Sequence, residues 1–134
     1  MKAAGRGYDA LVPPRRTGPQ PVVVLPRLRF QRGPVIVLGP GKADLLEAIG
    51  RAGSIRGAAT ALGMSYMRAW SLVRVMNAAF RTPLVRSVRG GTGHGGAVVT
   101  PLGLRVVVLY REMERAALDA VAPGLVRLKR DLRR

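Results

Sequence analysis

The stretch Gly53-Ser54-Ile55-Arg56-Gly57-Ala58-Ala59-Thr60-Ala61-Leu62-Gly63-Met64-Ser65-Tyr66-Met67-Arg68-Ala69-Trp70 decides how the whole chain is read. It holds two helix stops, each followed at once by a helix start. A glycine after an apolar helical period closes a helix in the left-handed conformation. A serine just beyond it accepts a hydrogen bond from the first amides of the next helix. Gly53 with Ser54, and Gly63 with Ser65, repeat that pair of signals. They predict a short helix over Ile55–Leu62 and a longer one from Tyr66 to about Phe80, with Pro83 soon after its end. Ala58, Ala59 and Ala61 keep the short helix thin. Two helices can then cross closely around the turn at Leu62-Gly63-Met64-Ser65, the spacing of a helix-turn-helix.

Reading outward, Leu45, Leu46, Ala48 and Ile49 give a helical stripe over Lys42–Ala52. Before it, Pro26–Phe30 alternates charged and apolar residues, Gln31–Pro34 is a turn, and Val35–Leu38 is a β-branched strand. After the third helix, Leu84–Val88 alternates as a strand, Gly90–Gly96 is a flexible tip, and Ala97–Val99 returns. Thr100-Pro101 is an N-cap followed by proline at the first helical position. The last helix is expected over 101–121, with Pro123-Gly124 as its stop. The fold class is mainly α with small β-hairpins: a winged helix-turn-helix with a long C-terminal dimerisation helix. Three regions are expected: a disordered basic arm over 1–21, the winged-helix domain over 22–122, and a basic tail over 123–134.

The chain has 134 residues, enough for one domain. Its net charge is +16, from 23 Lys+Arg against 7 Asp+Glu. Such an excess repels itself unless a polyanion neutralises it. Nucleic acid is the commonest such partner, and an anionic membrane surface is the alternative. The absence of cysteine excludes disulfides, thiolate metal sites and cysteine nucleophiles. A single histidine and scattered carboxylates leave neither a metal set nor a catalytic constellation. No enzyme, cofactor or metal is therefore expected. No apolar run approaches the roughly 20 residues of a membrane span. With no signal peptide in view, a cytoplasmic location is expected.

The expected partner is double-stranded DNA. Ser65 opens the third helix, whose first residues would enter the major groove. Ala69, Leu72, Val73, Met76 and Phe80 are assigned to the core. Tyr66, Met67, Arg68, Ser71 and Arg74 lie largely away from it, with Arg68 as the base reader, bidentate to guanine. Trp70 sits at the edge between the two faces. Ser54 and Arg56, at the start of the second helix, join the expected contact surface. On the wing, Arg89, Thr92 and His94 are placed against backbone or minor groove.

Two phosphate-loop patterns fail on context. Gly91-Thr92-Gly93-His94-Gly95-Gly96 matches a dinucleotide fingerprint, but β-branched residues follow it where a helix should open. Gly39-Pro40-Gly41-Lys42-Ala43 lacks both the earlier glycine, Ile36 standing in its place, and the hydroxyl that would hold Mg²⁺.

Gly53-Ser54-Ile55, Ala58-Ala59, Leu62-Gly63-Met64-Ser65-Tyr66, Ala69-Trp70 and Met76-Asn77 together resemble the N-terminal DNA-binding domain of the molybdate-responsive regulators (ModE-type). Leu84-Val85, Gly90-Gly91, Gly95-Gly96-Ala97, Thr100, Gly103 and Tyr110 continue the likeness in order, over about residues 27–118. The part from Gly53 to Ser65 is shared with LysR-type helix-turn-helix domains; the Ser-Tyr-x-x-Ala-Trp and double-glycine portions are more specific. The resemblance implies a dimerising winged helix with its recognition helix opening at Ser65. It also implies that molybdate sensing belongs to C-terminal domains absent here, so molybdate binding by this chain is not expected.

The last helix is apolar on more than one face. Leu102, Val106, Leu109, Met113 and Ala117 form one stripe, and Tyr110 widens it. One stripe is expected to pack on the chain's own core and the other to form a two-fold interface, with these six residues named for the interface, giving a homodimer that reads an inverted repeat. Charge alone would equally suit a non-specific nucleoid-associated or RNA-binding protein. A winged helix can also serve as a protein-docking module.

Overall fold

The computed structural model describes residue 18 and residues 20–89 and 95–133. The expected arm over 1–21 therefore lies almost wholly outside the described residues. The elements are β1 (Phe30–Arg32), β2 (Val35–Leu38), α1 (Pro40–Ala52), α2 (Ile55–Leu62), α3 (Tyr66–Ala79), β3 (Val85–Arg89), β4 (Gly95–Val99) and α4 (Pro101–Asp131). This is a winged helix-turn-helix with a long C-terminal helix.

The stop and start signals act as their chemistry dictates. Gly53 and Gly63 take φ of 71° and 67°. The Gly53 amide donates to Ile49 O at 2.9 Å, closing α1. Ser54 Oγ accepts from Gly57 N at 2.9 Å, and Ser65 Oγ accepts from Arg68 N at 3.1 Å. Thr100 Oγ1 accepts from Gly103 N at 3.1 Å, so the expected start of α4 is also found.

The core joins all three N-terminal helices to the wing and to α4. Leu45, Leu46 and Ile49 from α1 meet Ala58 and Ala59 from α2 and Ala69, Val73 and Met76 from α3. Leu84, Val85 and Ala97 bring in the wing, and Val106 and Tyr110 bring in α4. Gly103 lets α4 start against the wing: a Cβ there would stand 2.6 Å from Val99 Cγ1 and collide with the Leu84 carbonyl. Asn77 fastens α3 to β3, a role its sequence position does not announce. Its Oδ1 accepts from the amides of Leu84 at 2.8 Å and Val85 at 3.2 Å, and its Nδ2 donates to Val85 O at 3.0 Å.

Three expectations need correction. The first strand is Phe30–Arg32, not Pro26–Phe30, because a two-residue loop at Gly33-Pro34 sets the register Arg32↔Val35. Gly33, at φ 57°, takes the left-handed first position of that loop. The last helix does not stop at Pro123-Gly124 but runs to Asp131, with Pro123 inside it. A proline there removes one amide donor and crowds the carbonyl four residues back. Even so, the apolar period Leu118, Val121, Leu125, Leu128 continues in phase through it. Finally, Val106 and Tyr110 cannot form an intersubunit surface, since both are buried in the chain's own core. Tyr110 is fully covered, its hydroxyl donating to Leu28 O at 2.9 Å and its ring meeting Phe30 edge-on. Burial, the largest cause, pushes its phenol pKa above the ordinary value. Leu102, Met113 and Ala117 are half-buried, and of the six expected interface residues Leu109 alone is exposed.

Replacing Asn77 by Ala leaves two amides, those of Leu84 and Val85, without their acceptor at the buried entry to β3. It should cost about 2–3 kcal/mol in denaturant unfolding. Asn77→Asp, which keeps the acceptor, should cost less.

Candidate nucleic-acid interface

The faces of α3 follow from its pitch of about 100° per residue. Ala69, Val73 and Met76 point into the core, so the opposite strip is Met67, Ser71 and Arg74, all exposed. Tyr66 and Trp70 occupy the flank toward the wing; Arg68 and Leu72 occupy the other flank. The structure thus separates residues that the sequence reading grouped together. Arg68 lies at the side of the presented face rather than at its centre.

On the wing side an open cleft of about 620 Å³ lies between the start of α2, α3 and the β3–β4 hairpin. Ile55, Arg56, Tyr66, Trp70, Val88 and Arg89 line it. The Arg56 guanidinium lies over the Tyr66 ring at 4.6 Å, and that of Arg74 over the Trp70 ring at 4.8 Å. Such stacking holds a long cation in place without neutralising it. Trp70 is 37% exposed, so its ring is a supporting surface shared between the cleft and Arg74. Thr92 and His94 lie outside the described residues. Arg89 is exposed at the end of β3, next to the tip.

The wing is tied to the helix-turn-helix at one backbone point. The amide of Ala97 donates to Gly53 O at 2.9 Å. Gly96 passes so close that a Cβ on it would stand 2.8 Å from Val88 Cγ2 and 3.3 Å from that same Gly53 carbonyl. Gly96 therefore serves the close approach of wing and turn, whereas a Cβ on Gly95 would meet open space.

Charge is segregated over the fold. No Asp or Glu occurs between Glu47 and Glu112. Among the described residues, the wing cleft and the centre of the α3 face carry Arg56, Arg74 and Arg89 with no carboxylate beside them, and Arg68 stands on the far flank. This gap is plain in the sequence, and it would have strengthened the DNA reading. Behind the surface, Arg111 gathers three carboxylates: Asp44 at 2.6 Å, Glu47 at 2.7 Å and Glu114 at 2.8 Å. The hydrogen bond to Glu47 is the largest cause that raises its pKa further. Arg111 so locks α1 to α4 and engages the three carboxylates at that junction. Among the described residues, no group of three or more His, Asp or Glu side chains is arranged to hold a metal ion. No helix among them is long and apolar enough to cross a membrane.

No protein-family model matches the chain. Known proteins do. The chain is 43% identical over 77 residues to the molybdenum-pterin-binding protein MopB of Rhodobacter capsulatus, covering 58% of this chain and 28% of MopB. It is 36% identical over 86 residues to the DNA-binding transcriptional dual regulator ModE of Escherichia coli K12, covering 62% of this chain and 33% of ModE. Over the matched residues, this chain is a homologue of the ModE-type regulators. The ModE-like resemblance drawn from Gly53 to Tyr110 is thereby borne out. The ModE-like chain spans about a third of the length of these relatives or less. Neither relative is named as an enzyme. Among solved structures, the full-length LTTR LysG of Corynebacterium glutamicum overlaps 68% of this chain and 29% of LysG, with 25% identity and a TM-score of 0.49.

Gly96→Ala should force wing and turn apart. The expected cost is about 1 kcal/mol, with hydrogen exchange at the Ala97 amide several-fold faster and distant amides unchanged.

Proposed function

We propose that this chain is a dimeric, sequence-specific DNA-binding transcriptional regulator, without catalytic activity, that lays α3 in the major groove and its wing on the flanking backbone. The observation that carries this reading is the presented face itself. A capped recognition helix and an adjoining wing together expose arginines and no carboxylate, beside a stacked Arg74 whose guanidinium is held ready. Kinship with ModE, a DNA-binding transcriptional regulator by name, supports it.

Base reading falls to the centre of the face. Arg74 can offer a planar fork to guanine, Ser71 can donate or accept, and Met67 can pack on a thymine methyl. Ser54 and Ser65 are occupied as caps but keep a hydroxyl proton, and phosphate contact is assigned to Arg56, Tyr66 and Arg89, which line the wing cleft. A merely polycationic nucleoid protein has no use for this ordered set of caps, turns and stacked cations.

The dimer is assigned to the distal part of α4. Leu118, Val121, Leu125 and Leu128 recur at alternating spacings of three and four residues, the period of a coiled-coil seam, and Leu132 follows just past the end of the helix. Leu118, Val121, Leu128 and Leu132 are exposed. The seam begins where the packed part of α4 ends. It replaces the more N-terminal stripe expected from the sequence.

Selection of genomic fragments by the purified chain should yield a common inverted repeat, whereas equal retention of all fragments would leave only the non-specific reading. Arg74→Ala should weaken binding to the selected duplex by about 1–3 kcal/mol and narrow its advantage over random duplex. Leu125→Glu should give a monomer by light scattering; an unchanged dimer would remove α4 as the interface.

A further inference from the structure

The flank of α3 away from the wing carries a second cavity, of about 700 Å³. The extended segment before β1, the start of α1 and α3 enclose it, and Arg27, Arg29, Lys42 and Arg68 converge on it. Asp44 and Glu114 also line it, but both are bound by Arg111. Among the described residues, none of the four cations makes an ion pair with a carboxylate. The cavity is also built rather than incidental, because the buried Tyr110 hydroxyl grips Leu28 O between Arg27 and Arg29.

We infer that this cavity seats a DNA backbone phosphate, on the strand across the major groove from the one that the wing contacts. A helix of about 10–12 Å diameter fills a major groove about 12 Å wide, with a phosphate backbone on either side. The wing cleft, with Arg56 and Arg89, serves one side. The cavity, continuous with α3 through Arg68, serves the other. Four cations against two engaged carboxylates suit a singly charged phosphodiester, which arginine forks grip well. Lys42 fits the same picture: burial first, and the nearby Arg68 charge second, lower its pKa. An anion in the seat would reverse that second effect. Arg68 thereby becomes a phosphate-positioning residue, where the sequence reading made it a base reader.

The inference rests on α3 entering the major groove, and salt dependence tests the two ideas separately. Affinity of the full chain for a mixed-sequence duplex is followed against salt by anisotropy. Arg29→Gln and Lys42→Gln should each reduce the slope of log K against log salt by about 1, and the double variant by about 2. They should weaken specific and random duplex by the same factor. Lys42→Arg should restore the slope, and Arg130→Gln, in the last turn of α4, should leave it unchanged. Wild-type protein that fails to bind duplex overturns the proposed function itself. Wild-type binding with slopes untouched by Arg29→Gln and Lys42→Gln, or lowered equally by Arg130→Gln, overturns this inference alone. Saturable, Lys42-dependent binding of inorganic phosphate without DNA, measured by calorimetry, would make the cavity a free-oxyanion site and overturn its assignment to the backbone.

Discussion

The peptide group of Gly53 is the point on which the fold turns. Its amide closes α1 on Ile49, its left-handed φ aims the chain into α2, and its carbonyl receives the Ala97 amide of the wing. A residue with a Cβ would be strained there. One backbone position thus sets the angle between α1 and α2 and the distance from the helix-turn-helix to the wing. The opposite end of the wing is set by Asn77, which takes the first amides of β3 from the last turns of α3. Recognition helix and wing are held as one surface by these two links, and neither link uses a charged group.

Charge does different work. Exposed ion pairs contribute at most about 1 kcal/mol each, and Arg111 is about a third exposed, so its three contacts are not a large store of stability. Their effect is spatial. They draw Asp44, Glu47 and Glu114 to the α1–α4 junction, and the sequence has no Asp or Glu between Glu47 and Glu112. The α3 and wing surface keeps its full positive charge, which a domain tolerates when a polyanion is the partner. Stacking of Arg56 on Tyr66 and of Arg74 on Trp70 orders those cations at little cost to their charge.

The helix α4 has two lives along its length. Near its start, Gly103, Val106 and Tyr110 complete the core of the domain. Beyond about residue 118 the apolar stripe continues, and Leu118, Val121 and Leu128 on it are exposed among the described residues. A proline in the path does not end it. The apolar residues on either side stay in phase, and phase is what a partner helix reads.

The sequence by itself determined the order of elements and the bounds of α2 and the start of α3, because caps and stops are local chemistry written in one or two residues. It also determined the core strip Ala69, Val73, Met76 and the family resemblance. What it left open was orientation. Arg68 and Arg74 are equally polar in sequence, yet a rotation of some 240° about α3 puts one beside Lys42 and the other over Trp70. Val106 and Leu109 share a stripe on paper, yet only the packed domain decides which is covered. The roles of Asn77, Gly96 and Tyr110 depend on contacts with residues distant in the chain or across a hairpin, and periodicity carries no trace of those. Tertiary structure alone fixed which side of each helix faces the core, and with it which cations are free to meet a phosphate.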